Sequence, residues 1–194
     1  MSVFGRWLLV LVLLLQAACS IPVRPVAPME WVLSAPPQVW TAQGRVAVRS
    51  INEGFSASFR WHETPAEGQI EVRGAFGAGA TRIVRHDDLI VLENASGQPL
   101  EVAPPYASLD AALEARLGFA LPVASLRYWV MGVPAPGRQV EGTASEFQQD
   151  GWHVTSSLYS VVPGASGSLP TRIELTRAGT RVRLLIDSWQ VGVP

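Results

Sequence analysis

From Gln43 onward, apolar and polar residues alternate along the chain in steps of two. Phe55, Ala57, Phe59 and Trp61 fall on one side, and Ser56, Ser58, Arg60 and His62 on the other. That is the period of a strand with one dry and one wet face. Val46 and Val48 stand against Arg45 and Arg49, Ile70 and Val72 against Glu71 and Arg73, and Val182, Leu184 and Ile186 against Arg181, Arg183 and Asp187. Turn-forming residues separate the runs: Asn52 to Gly54, Pro65 to Gly68, Asp87 and Asp88, Asn94 to Gly97, Asp150 and Gly151, and Ala178 and Gly179. Short runs at this spacing predict a meandering antiparallel sheet and not a parallel α/β fold.

The two-residue period breaks between Ser108 and Pro134. Ser108 is an N-cap type, Asp110 and Glu114 suit a helix start, and Leu109, Ala112, Leu113 and Leu117 recur at helical spacing before Gly118. Pro122 then opens a second helix whose apolar face is Val123, Leu126, Trp129 and Val130, closed by Gly132 and Pro134. A one-sided sheet has to cover its dry face, so the two short helices are expected to lie across it.

The first residues have a different texture. Arg6 precedes the apolar run Trp7 to Leu15 and the small pair Ala17 and Ala18, the layout of a secretory signal and too short a run to span a bilayer. Residues 1–18 are therefore read as a signal peptide, and Cys19, the only cysteine in the chain, as the new amino terminus. Residues 19–38 contain Pro22, Pro25, Pro28, Pro36 and Pro37 and read as a tether. Residues 39–194 form one domain of a size that can bury a core.

Composition narrows the function classes. All 15 basic residues are arginine, and beyond residue 18 there are 14 of them against 16 carboxylates, a formal charge of −2. A nucleic-acid surface is not indicated. Charged residues make up only 16% of the chain, so some apolar surface is expected to face something other than core. His86, Asp87 and Asp88 are adjacent but point in different directions from a strand end. His62 and His153 are read as wet-face residues with no spaced carboxylate or cysteine companions. Neither a nucleophile motif, nor metal-ligand spacing, nor a phosphate loop occurs. No catalytic residue, metal or cofactor is assigned, and an apolar excess without a reactive group favours binding over catalysis. Phe76 sits at the centre of the glycine-rich segment Gly74 to Ala80. It is read as exposed, the other reading being a ring folded back onto the sheet.

Two resemblances sharpen these expectations. LQAAC at residues 15–19 resembles the lipobox of bacterial lipoproteins, with Gln16 standing where a branched apolar residue is usual. In that class the cysteine is acylated, and Ser20 in place of aspartate directs the protein to the outer membrane. The domain itself resembles the LolB family of outer-membrane lipoprotein receptors. The likeness rests on GRVAV at Gly44 to Val48, SFRW at Ser58 to Trp61, GAFG at Gly74 to Gly77, LGFALPVASLRYWVMGVP at Leu117 to Pro134, QQDGW at Gln148 to Trp152, LPTRIEL at Leu169 to Leu175 and RVRLLIDSW at Arg181 to Trp189.

The resemblance implies a mainly β fold, an incomplete antiparallel barrel with a short helical lid over an apolar cavity. It implies a lipid-anchored protein facing the periplasm that accepts acylated lipoproteins from the carrier LolA and inserts them into outer-membrane lipid. The cavity wall would be Val46, Val48, Phe59, Trp61, Ile70, Val72, Leu184 and Ile186, closed by Leu113, Leu117, Leu126 and Trp129. Cys19 would be the anchor and Phe76 the membrane-inserting residue. A structural envelope lipoprotein with a filled core, an envelope hydrolase and a released carrier of LolA type are the other readings left open.

Overall fold

The structure, a computed structural model, describes residues 36–51, 54–74, 80–86, 89–94, 96–103 and 122–192. Among these residues the strands are β1 (Trp40–Arg49), β2 (Gly54–Glu63), β3 (Glu67–Arg73), β4 (Ala80–His86), β5 (Leu89–Glu93), β6 (Pro99–Ala103), β7 (Glu141–Thr143), β8 (Glu146–Gln149), β9 (Trp152–Val161), β10 (Ser168–Arg177) and β11 (Thr180–Val191), and the helix α1 (Val123–Trp129) lies between β6 and β7. The strands form a single sheet of eleven in the order β6-β5-β4-β3-β2-β1-β11-β10-β9-β8-β7. Each strand pairs antiparallel with the next in the chain, except β6 and β7, which do not pair with each other, and β1 also pairs with β11. The sheet is open, with β6 at one edge and β7 at the other.

The alternation read from the sequence becomes the two faces of this sheet. Ala57, Phe59, Trp61, Val48, Val182, Leu184 and Ile186 are buried, while Ser56, Ser58, Arg60, Arg45, Arg49, Arg181 and Arg183 are exposed. The buried set joins Trp40, Val154, Ile173 and Leu175 and the helix residues Leu126, Trp129 and Val130 in one core. One irregularity marks the middle of the sheet: Gln43 pairs with Ser188 but Gly44 with Ile186, which leaves Asp187 as a bulge. Here β1 and β11 come so close that a Cβ on Gly44 would overlap the carbonyl oxygen of Leu185.

Helix α1 begins at Pro122, whose carbonyl accepts from the backbone N–H of Ser125 and Leu126. It ends where Gly132, at φ +74°, turns the chain away. Val123, Leu126, Trp129 and Val130 are all buried, as the spacing predicts. The other expected helix, at Ser108 to Gly118, lies outside the described residues. Pro65 to Gly68 is a turn only in part: Thr64 and Glu67 close the hairpin, and Gly68 is already a buried residue of β3.

Candidate functional site: the helix-covered face of the sheet

The site is built by the face that α1 covers. Of the wall residues expected from the sequence, Val48, Phe59, Trp61, Leu184 and Ile186 are buried there together with Leu126 and Trp129 of the helix. Val46, Ile70 and Val72 lie on the same face but remain half-buried, as does Phe55. Leu113, Leu117, Phe76 and Cys19 lie outside the described residues. In this conformation α1 fills the space in front of the central strands. Trp129 packs edge-on against Phe147, and Trp40 meets Trp61 and Trp189 at ring separations of 5.0 and 5.4 Å.

Polar side chains that the sequence reading did not single out fasten the helix. Trp129 Nε1 donates to Gln149 Oε1 at 2.7 Å, and the same carboxamide receives Ala135 N–H at 2.7 Å and donates to the Ala135 carbonyl at 2.9 Å. Ser125 Oγ donates to Asp150 Oδ2 at 3.0 Å. On the other side, Arg127 Nη1 lies 3.5 Å from Glu63 Oε1. Gln149 is on β8 and Glu63 on β2, with four strands between them. A flat sheet would hold β2 and β8 about 24 Å apart. One short helix reaches both because the sheet coils around it, which makes the open sheet a half-barrel.

Glu63 is the centre of a buried ion pair. Its Oε1 accepts from Arg85 Nη2 at 2.7 Å and its Oε2 from Trp61 Nε1 at 2.9 Å. The Glu63 and Arg85 side chains are 4% and 9% exposed. Arg85 also donates to the carbonyls of Thr64, Pro65 and Ala66, closing the hairpin between β2 and β3. Gly68 makes room for the pair, because a Cβ there would overlap the Glu63 carboxylate. A space of about 20 Å³ remains between these groups and the helix, lined by Trp61, Ile70, Ile83, Val123 and Arg127, which is room for a single water. Arg85 also lines this space, and its buried Nε has no hydrogen-bond partner among the described residues. Two guanidinium groups and an indole N–H engage both oxygens of the Glu63 carboxylate, so the cluster reads as a fastening.

The histidines differ from expectation. His153 does have a carboxylate companion: Glu146 Oε1 lies 2.8 Å from its Nε2 across the hairpin of β8 and β9. His62 Nδ1 lies 3.0 Å from Thr41 Oγ1. Both pairs join neighbouring strands. His86 is exposed at the end of β4, and Asp87 and Asp88 lie outside the described residues. Among the described residues no group of three metal-ligating side chains converges, and no helix is long and apolar enough to cross a membrane.

Residues 38–189 match the family described as outer membrane lipoprotein LolB. The outer-membrane lipoprotein LolB of Halorhodospira halophila is 34% identical over 157 residues, covering 77% of this chain and 74% of that protein. Its counterpart from Thiobacillus denitrificans is 31% identical over 186 residues, covering 85% and 95%. Among solved structures, a LolA superfamily protein from Nitrosomonas europaea superposes with a TM-score of 0.52 at 10% identity, over 84% of this chain and 90% of that one. That last likeness is one of fold.

Proposed function

This chain belongs to the outer membrane lipoprotein LolB family, and on that premise we propose that it accepts acylated lipoproteins from the periplasmic carrier LolA and inserts them into the outer membrane. The family is one of outer-membrane lipoproteins and not of enzymes. The observation that carries the proposal is the incomplete covering of the dry face. Val46, Phe55, Ile70 and Val72 point to the same side as the core yet stay half-buried, which leaves apolar surface for an acyl chain to cover.

Acyl chains stabilise such a complex by about 0.8 kcal/mol per buried methylene, so three chains are worth on the order of tens of kcal/mol. Each neutral hydrogen bond that fastens α1 is worth only about 1 kcal/mol. Cargo therefore outweighs the ties, and the reading has α1 lift as acyl chains replace Leu126 and Trp129 against Val48, Phe59, Trp61, Leu184 and Ile186. Leu113 and Leu117 would complete the lid. Cys19 carries the lipid anchor, residues 19–38 are the tether, and Phe76 gives the cargo its path into lipid. Chemistry of this kind calls for no cofactor.

The close packing of Trp129 against Phe147 favours a second reading, a structural envelope lipoprotein whose core stays filled. The two are separated by presenting LolA loaded with labelled lipoprotein to the chain and, in parallel, by displacing a fluorescent fatty acid. Transfer of label and displaceable probe binding are expected. Absence of both would leave the structural reading in possession.

A further inference from the structure

We propose that the end of the sheet formed by the β1–β2 and β10–β11 turns is a docking surface for phospholipid headgroups, with Ile51 entering the apolar layer and Arg49, Arg181 and Arg183 meeting phosphates. The proposal rests on the reading of the chain as an anchored receptor. Ile51 is 83% exposed at the tip of the β1–β2 turn. It is not loose: a Cβ on Gly179 of the β10–β11 turn would come within 3.0 Å of Ile51 Cγ1, so the side chain rests on that turn and projects beyond it. Exposure alone does not set Ile51 apart, since Val161 is 87% exposed; what does is its place among arginines at one end of the sheet.

The charge around it identifies the partner. The outward faces of β1, β2, β3, β10 and β11 carry seven arginines, Arg45, Arg49, Arg60, Arg73, Arg172, Arg181 and Arg183, against the four carboxylates Glu67, Glu71, Glu174 and Asp187, in a chain whose net charge is −1. Just below Ile51 this face opens into a groove of about 580 Å³, floored by Ala47 and Ser56 and rimmed by Arg49, Arg181 and Arg183. Among the described residues Arg49 has no acidic partner, whereas Arg181 and Arg183 share Glu174. Guanidinium forks match phosphate oxygens in geometry and sign. An isoleucine beside arginines is the composition of an interfacial contact, in which apolar insertion and headgroup attraction add.

The bilayer is also the surface within reach. From Cys19 to the start of β1 at Trp40 the chain has length for about 60 Å in extended proline-rich form. β1 itself, ten residues from Trp40 to Arg49, is about 33 Å long. The tether joins the sheet at the end opposite Ile51, and it is long enough to run the length of β1 with room to spare, so an anchored chain can lay its Ile51 end on the membrane. The β3–β4 connection, which carries Phe76, leaves the sheet at this same end. Glu53, in the β1–β2 turn, lies outside the described residues.

The test uses the chain carrying Cys19→Ala, so that no acyl anchor contributes. It is cosedimented with vesicles of phosphatidylethanolamine and phosphatidylglycerol, and its acceptance of lipoprotein from LolA is measured alongside. Ile51→Glu and the double variant Arg49→Glu/Arg181→Glu should each weaken vesicle binding about tenfold or more, and added salt should weaken the parent. Val161, 87% exposed at the opposite end of the sheet, supplies the control: Val161→Glu should bind like the parent. Vesicle binding that is unchanged in both test variants, or that falls as far in Val161→Glu, overturns the proposal. So does loss of acceptance from LolA with vesicle binding intact, which would assign this end to an acidic protein. A parent that binds vesicles through Ile51 yet accepts no lipoprotein would instead sink the receptor reading and leave the docking surface standing.

Discussion

Trp129 and Gln149 are joined by a 2.7 Å hydrogen bond from the indole N–H to the carboxamide oxygen, in a site closed to water. The indole belongs to α1 and the carboxamide to β8, and the same carboxamide also satisfies both backbone groups of Ala135. One side chain thus settles three polar groups that the apolar core cannot. Gln149→Leu should therefore cost roughly 2–5 kcal/mol, since each orphaned group keeps its desolvation penalty. Urea denaturation measures this, and a loss under about 0.5 kcal/mol, the range of a neutral surface change, would show that the carboxamide is dispensable.

The Glu63–Arg85 pair gives the second prediction. Removing one member leaves a buried charge without its partner, so Glu63→Leu should destabilise by about 3–5 kcal/mol. Replacing both, as Glu63→Leu/Arg85→Met, removes the uncompensated charge and should recover a large part of that loss, although the carbonyls of Thr64 to Ala66 lose their donor. A double-mutant cycle in chemical denaturation provides the check. Strict additivity of the two single losses would mean that the pair is not coupled.

The strands were legible because their residues obey one local rule, the two-residue alternation, that needs no knowledge of partners. α1 was legible for the same reason: Val123, Leu126 and Trp129 repeat at helical spacing. The fastenings were not, although each leaves a trace in the pattern. Glu63 follows Phe59 and Trp61 on the dry parity, Arg85 shares parity with Ile83, and Gln149 with Phe147. Each is a polar residue at a dry position, a local rule broken, which marks a place where something compensates. What compensates lies 22 residues away for Glu63 and Arg85 and 20 for Trp129 and Gln149, and only the pairing register brings those partners together. The same holds for Glu146 and His153, which read as unrelated until β8 and β9 align. Gly68 looked like a turn glycine because turns and crowded strands ask for the same residue for different reasons.

Gly44 is a sharper case of that distinction. Its backbone is ordinary for a strand, but the approach of β11 at the Asp187 bulge leaves no space for a Cβ against the Leu185 carbonyl. Since the obstacle is backbone and cannot rotate away, Gly44→Ala should destabilise by about 1–3 kcal/mol or more. Gly54→Ala, where a Cβ meets its nearest backbone atom at 3.3 Å, should cost less. Thermal denaturation of the two variants side by side decides it, and equal midpoints would mean that β1 and β11 can separate without penalty.

Cys19 is predicted to supply attachment and nothing more, because the first strand begins at Trp40, beyond the proline-rich tether. Cys19→Ala should yield a soluble chain that still takes lipoprotein from LolA. A variant that keeps its circular dichroism spectrum but accepts no cargo would tie the anchor to the binding step itself.

Receiving cargo and releasing it make different demands, and the role proposed for Phe76 would separate them. On the proposed mechanism, acceptance needs only the dry face of the half-barrel and a movable helix. Delivery needs an apolar path from that face into the bilayer, and the segment Gly74 to Ala80 puts one aromatic among glycines and alanines, residues that let a turn approach lipid without bulk or charge. In that proposed role Phe76→Glu would set a charge where the interface favours an apolar ring, and it leaves Val48, Phe59 and Trp61 unaltered in sequence. Transfer of labelled lipoprotein from LolA to the variant should proceed as for the parent. Transfer from the variant to liposomes should fall by about tenfold or more, the equivalent of losing one interfacial aromatic. Normal delivery by a folded Phe76→Glu chain would return Phe76 to the sheet surface as a packing residue and leave the path into lipid to Ile51.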